Sequence, residues 1–270
     1  MLRALLALLA VFGLAACNPP YQQKNGVWHF EDVAMDLEPG EELVPLNKRF
    51  AKSQKRAFHR NTPIAGAEGR TFVALDENYA KDARRAYWAH TYREPIEYFL
   101  VPRSRVTPIR DARVAAFKAL GEGYAGDGAQ VWYRGTAFPV RSAATFAPLA
   151  YGYARDDVSG YYNRVEIAGS DGKSFRALDP SYAVDARQAY FSEVGSASEG
   201  STIAIQGVDV GSFKEVGNLY AKDARTVFYR GQPLEGADAA SFEAVSGDHE
   251  APDAKDKNRS YKRGKPVAPA

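Results

Sequence analysis

Residues 219–245 read L-Y-A-K-D-A-R-T-V-F-Y-R-G-Q-P-L-E-G-A-D-A-A-S-F-E-A-V, and earlier stretches of the chain are variations on this unit. Tyr220, a small residue, any residue and Asp223 open it. The Asp suits the first position of a type I turn, where its carboxylate can accept backbone N–H bonds. Val227, Phe228 and Tyr229 form a β-branched and aromatic triplet that reads as a strand. Gly231 comes soon after, like Gly135 and Gly264 in their own units, where a tight hairpin turn needs positive φ. Pro233 and Leu234 begin a short third strand. Asp238 lies four residues before Phe242, as Glu68, Ser142, Asp171 and Asp209 precede theirs, and suits an N-cap on a single helical turn. The predicted unit is about three short strands plus one turn of helix.

Aligned on the opening Asp, the units fall at Gln23, Ser53, Asp82, Asp127, Asp156, Asp185, Asp223 and Asp256, with spacings of 30, 29, 45, 29, 29, 38 and 33 residues. The base period is about 29 residues, characteristic of a repeat array. From the Asp position to the closing Phe is 19 residues in four units, but 35 for Asp82 to Phe117 and 28 for Asp185 to Phe213. From each Phe to the next Asp is 10 residues five times running. One segment is therefore fixed in length, and the other takes insertions near Tyr92–Thr107 and Val194–Thr202, expected as loops. The repeats cover residues 21–267 with no domain boundary inside. The expected fold is all-β, an array of about 7–8 hairpin-based repeats, each with a short helical turn and each needing its neighbours to bury its Phe. An open, curved array is favoured over a ring, because 29 residues is short for a four-stranded propeller blade.

Phe72, Phe117, Phe146, Phe175, Phe213 and Phe242 should line the core, with Leu75, Leu120, Leu149, Leu178, Val216 and Val245 beside them. Strand alternation also sorts the paired rings Tyr87-Trp88, Trp132-Tyr133, Tyr161-Tyr162, Tyr190-Phe191 and Phe228-Tyr229, one facing inward and the next outward.

The first residues give an address. Met1-Leu2-Arg3 is a positive n-region and Ala4 to Gly13 an apolar stretch too short to span a bilayer. Residues 1–16 therefore read as a signal peptide. Leu14-Ala15-Ala16-Cys17 resembles a bacterial lipobox, which implies cleavage before Cys17 and acylation of its thiol. Cys17 is the only cysteine of the 270 residues, so no internal disulfide can form. Several acyl chains on one residue anchor stably. Residues 17–20 would then be a lipidated linker and 268–270 a tail. Asn18, in place of Asp, favours the outer membrane facing the periplasm.

Sixteen Tyr, 14 Phe and 3 Trp against 2 Met tilt the composition toward strands. A formal charge of +2 is too small to argue for nucleic acid. His29, His59, His90 and His249 show no metal-ligand spacing, and each turn offers one Asp where calcium needs several. No nucleophile elbow or phosphate-binding loop stands in a suitable context. No catalytic residue, metal or cofactor is expected. The basic C-terminal run Lys255–Lys265 reads as a solvated tail, with attraction to anionic headgroups as the alternative.

Tyr-Ala-Lys-Asp, the variant Lys255-Asp256-Lys257-Asn258, the aromatic triplet and G-A-D-x-x-S-F together resemble the DKNYY repeat family. The family implies architecture and an envelope setting, and no catalytic residues come with it. The expected function is a non-enzymatic, lipid-anchored envelope protein that presents its repeat surface to a protein partner. The alternative is a module binding peptidoglycan or lipopolysaccharide through outward rings, with Trp88, Trp132 and Tyr162 as the candidates. A hydrolase with its site in one of the insertions is a third class.

Overall fold

A computed structural model of the chain describes residues 19–93, 102–194, 200–246 and 251–267. The leader, Cys17, the tail and the tips of both insertions lie outside the described residues. The chain falls into two compact units, Met1–Arg110 and Asp111–Ala270. Both are built from the same element, a small antiparallel sheet whose strands follow each other in chain order. The first unit holds sheets at residues 21–34, 44–63 and 73–109. The second holds sheets at 118–138, 147–166, 176–204, 214–233 and 243–267.

The all-β repeat pattern is present, but each repeat after the first has four strands instead of three. The added strand is the stretch directly after the closing Phe, such as Val73–Ala74 or Glu243–Ala244. It is only two to four residues long, so a 29-residue unit accommodates a four-stranded sheet after all. The Phe thus ends the link between two sheets and delivers the chain into the next one. Register also corrects the alignment of the first unit. Tyr21 pairs with Phe30 as Tyr79 pairs with Trp88, so Lys24, not Gln23, is the counterpart of Asp82.

Where they are described, the insertions are strand rather than loop. Ala86–Tyr92 pairs with Arg103–Ile109, and Ala189–Val194 with Gly200–Ala204, so each lengthens the last hairpin of its sheet. The basic C-terminal run is likewise no solvated tail, because Ala254–Lys255, Ser260–Lys262 and Lys265–Val267 are the last three strands of the eighth sheet.

In six sheets the last hairpin closes on a two-residue loop, and three of these loops are Arg134-Gly135, Arg230-Gly231 and Arg263-Gly264. All six of those residues have φ between 48° and 77°. This is the type I′ turn that matches strand twist. Gly264 is required twice over, because a Cβ there would fall 2.2 Å from the Tyr229 ring.

The predicted helical turns reduce to single i to i+3 turns ending at the Phe, as in Thr71 N–H to Glu68 C=O and Phe72 N–H to Gly69 C=O. Asp238 caps its turn through the Ser241 N–H at 3.0 Å, whereas Glu68 makes no side-chain cap.

The six closing Phe residues are all buried, none more than 6% exposed. The Leu and Val residues expected beside them are half-buried. Apolar layers lie between consecutive sheets of a unit. Phe50, Ile64 and Phe72 pack with Ala80 and Tyr87 in the first. Tyr153, Tyr162 and Phe175 pack with Ala183 and Tyr190 in the second. A sheet in the middle of a unit therefore covers both its faces, and the expected split into inward and outward rings does not hold. Tyr161 and Tyr162 are both buried, as are Tyr190 and Phe191.

Candidate binding groove

Catalysis would be sought first at the repeated carboxylates, and their geometry assigns them to architecture. One oxygen of Asp185 accepts the N–H groups of Arg187 at 2.7 Å and Gln188 at 2.8 Å, closing the turn. The other accepts the Asp171 N–H at 2.8 Å and the Tyr190 hydroxyl at 2.7 Å. Asp82, Asp156 and Asp256 repeat this set with Tyr87, Tyr161 and Tyr261. Asp127 and Asp223 lack the fourth bond, because Trp132 and Phe228 stand where the tyrosine would be. Burial opposes the charge on each carboxylate, yet the converging N–H donors outweigh it and hold all six below the usual range. A carboxylate with about four acceptor sites filled has none left for a metal or a reacting proton.

The neighbours of the Asp are equally committed. The hydroxyls of Thr71, Thr145, Ser174, Ser212 and Ser241 accept the N–H of the residue after the Asp, at 2.9 to 3.0 Å. Lys52, Arg155 and Lys222 donate to carbonyls at the Phe turn. Where Ser53 replaces the Asp, Glu41 supplies the missing carboxylate, bonded to the Ser53 hydroxyl and to Arg56. The Arg56 hydrogen bond holds the Glu41 carboxyl down at about 2 against the cost of burial. Sequence alignment missed Glu41, which lies 12 residues upstream in a stretch without recognisable repeat character.

Each candidate ring packs against rings of its own sheet or of the link just before it. Trp132 and Tyr162 are 3% and 5% exposed, which corrects the expectation that they face outward. Trp132 lies against Phe117 and Tyr162 against Tyr153, at 5.4 Å and 4.6 Å between centroids. Trp88 is half-buried between Tyr79 and His90. Cys17 lies outside the described residues.

What the repeat does not absorb is the lengthened hairpin of the sheet at 176–204. A cavity of 410 Å³ lies between it and the next sheet, lined by Phe191, Glu193, Ser201, Ile203, Tyr229, Arg230 and Gln232. Phe191, Ile203 and Tyr229 make an apolar floor, and an ion pair between Glu193 and Arg230 crosses the rim. Gly231 admits this closeness, since a Cβ there would meet the Phe191 Cβ at 2.7 Å.

The outer wall is the strand Gly200–Ala204, which pairs on one side only. Its pairing phase is set by Ile205, whose N–H bonds the Ala189 carbonyl at 2.9 Å. Ile203 and Ser201 share that inward phase, so Thr202 and Ala204 direct their N–H and C=O groups away from the sheet. The Ala204 carbonyl is met by the Gln206 side-chain amide at 3.4 Å.

The position of Ala204, opposite Tyr190, is held by Pro63, Pro108, Pro233 and Pro266 in four other sheets. Proline there cannot donate outward and blunts the edge. Gly-Ser-Thr-Ile-Ala carries neither proline nor charge, whereas the edge of the other lengthened hairpin, Arg103–Ile109, has two arginines and Pro108.

The model of the DKNYY family matches residues 200–265, from this edge strand through the two sheets that follow. No curated protein and no solved structure matches the chain.

Proposed function

From a chain whose residues 200–265 match the DKNYY family, we propose a non-catalytic, lipid-anchored envelope protein that binds a partner protein by strand addition at Gly200–Ala204. The observation that carries it is the unguarded edge, five residues without proline or charge, beside an apolar-floored cavity. An extended segment of the partner would bond the outward N–H and C=O groups of Thr202 and Ala204. One of its apolar side chains would sit on Phe191, Ile203 and Tyr229, as in other strand-addition complexes. The hydrogen bonds that converge on the repeated carboxylates, four each at Asp82, Asp156, Asp185 and Asp256 and three each at Asp127 and Asp223, support a binding role over a hydrolytic one. Anchoring through Cys17, in the outer membrane facing the periplasm, rests on the lipobox resemblance of residues 14–17.

A photo-crosslinking residue placed at Ser201 in living cells tests the proposal. One partner protein captured by the otherwise unchanged chain, and lost when Ala204→Pro is added, supports it. Equal capture from both chains, or capture of saccharide alone, overturns it. Ala204→Pro suits the comparison because four sheets of this protein already carry proline at that place.

A further inference from the structure

A different feature stands on the sheets at 118–138 and 147–166. The Arg134 guanidinium lies 5.1 Å and that of Arg164 4.9 Å from the centroid of the same ring, Tyr133. The two cations are therefore no more than about 10 Å apart. Both side chains are exposed, both sit at positive-φ positions of tight hairpin loops, and neither forms an ion pair among the described residues. Elsewhere in this unit Arg113, Arg141 and Arg230 each face a carboxylate, whereas the exposed Arg176, Arg187, Arg225 and Arg259 form no ion pair among the described residues. Two like charges held on one ring without a counter-ion repel, and an anion between them would remove that repulsion.

A second observation adds to the first. The loop at Ala150–Gly152 lies beside the Arg164 loop, joined to it by the Asn163 N–H and the Gly152 carbonyl at 2.9 Å. Tyr151, at its centre, is 55% exposed and adopts φ 61°. The equivalent turns hold Glu122 and Asn218 in the same conformation, so Tyr151 is set apart by its exposed ring. That ring stands on the loop beside the one that carries Arg164.

We infer that Arg134, Arg164 and Tyr151 form a binding site for a phosphorylated saccharide. The guanidinium forks take the phosphoryl oxygens, and the Tyr151 ring takes an apolar face of the sugar. Planar guanidinium groups match phosphate geometry in a way that two lysines would not. Gly200, at the start of the edge strand, lies against Tyr162 and Asn163, next to Arg164, but the site uses none of the groups that the strand-addition proposal invokes.

Calorimetric titration of the full chain, in a detergent free of sugar, tests it with glucose 6-phosphate, inorganic phosphate and glucose. Saturable binding of glucose 6-phosphate is expected, with inorganic phosphate weaker and glucose undetected. Arg134→Gln and Arg164→Gln should each weaken glucose 6-phosphate at least tenfold, and Arg164→Lys less than Arg164→Gln. Tyr151→Gly, which suits positive φ, should weaken glucose 6-phosphate severalfold and leave inorganic phosphate unchanged. Melting curves confirm that each variant is folded. Failure of glucose 6-phosphate to bind, or unchanged binding by both arginine variants, overturns the site. Arginine-dependent binding to phosphatidylglycerol vesicles without binding of glucose 6-phosphate overturns the saccharide assignment in favour of a lipid headgroup.

Discussion

The Tyr190 hydroxyl donates to the Asp185 carboxylate at 2.7 Å, and both side chains are at most 3% exposed. The pair ties the aromatic strand of a sheet to the turn that precedes it. The Asp171 N–H on the same carboxylate then pins the link from the previous sheet. One residue thus holds three segments, and its removal strands several buried donors at once.

Asp185→Ala should lower unfolding free energy by about 3 kcal/mol or more, because charge-assisted bonds contribute about 1.5–3 kcal/mol each and do not sum fully. Asp223→Ala should cost less, since Phe228 offers no fourth bond. Denaturant unfolding of the two variants gives the comparison, and equal losses would remove the tyrosine from the account.

Acid should act in two stages. His59 is fully buried, its Nδ1 is 3.0 Å from the Ser104 hydroxyl, and its Nε2 has no partner among the described residues. Burial pushes it down to about 4, with Arg49, Arg60 and His90 adding smaller repulsions. A base depressed on folding stabilises above its unfolded value near 6.5, and that stability is lost as pH falls toward 4. The turn carboxylates are depressed acids, so their contribution is intact above about 4 and is lost only below it. Stability measured against pH should show both slopes, and His59→Phe should flatten the upper one alone.

Phe146→Ala should cost about 3–5 kcal/mol, the range for a buried phenylalanine. Tyr220→Phe is not silent, because its hydroxyl donates to Asp253 at 2.8 Å and accepts the Gly264 N–H at 2.7 Å. A loss of about 1–2 kcal/mol is expected there, and melting temperatures should rank the two variants in that order.

Gly264→Ala should destabilise more than an ordinary glycine substitution. The new methyl would collide with the Tyr229 ring as well as strain a positive φ. Gly207→Ala has the same sign of φ with nothing within 4 Å and isolates the backbone share of the effect.

Cys17→Ala should release the protein from membranes. Continued co-sedimentation of the variant with the membrane fraction would refute lipid anchoring.

The sequence by itself determined the repeat, its period, the positions of the six core Phe residues, the glycine turns and the Asp turns. Each of these is local. A side chain two or three residues from the backbone group it serves leaves a fixed spacing, and a fixed spacing is legible in one dimension. Tertiary structure alone decided what lies between repeats. The fourth strand is two residues in some sheets, too short to leave a pattern, and exists because its neighbour offers a hydrogen-bonding edge. Trp132 and Tyr162 alternate as an outward-facing ring would, yet packing beyond their own strands buries them. Glu41 stands in for a missing Asp only because the chain folds it back onto Ser53. The free edge at Thr202 and the pairing of Arg134 with Arg164 belong to the same class, since each depends on residues that are distant along the chain and adjacent in space.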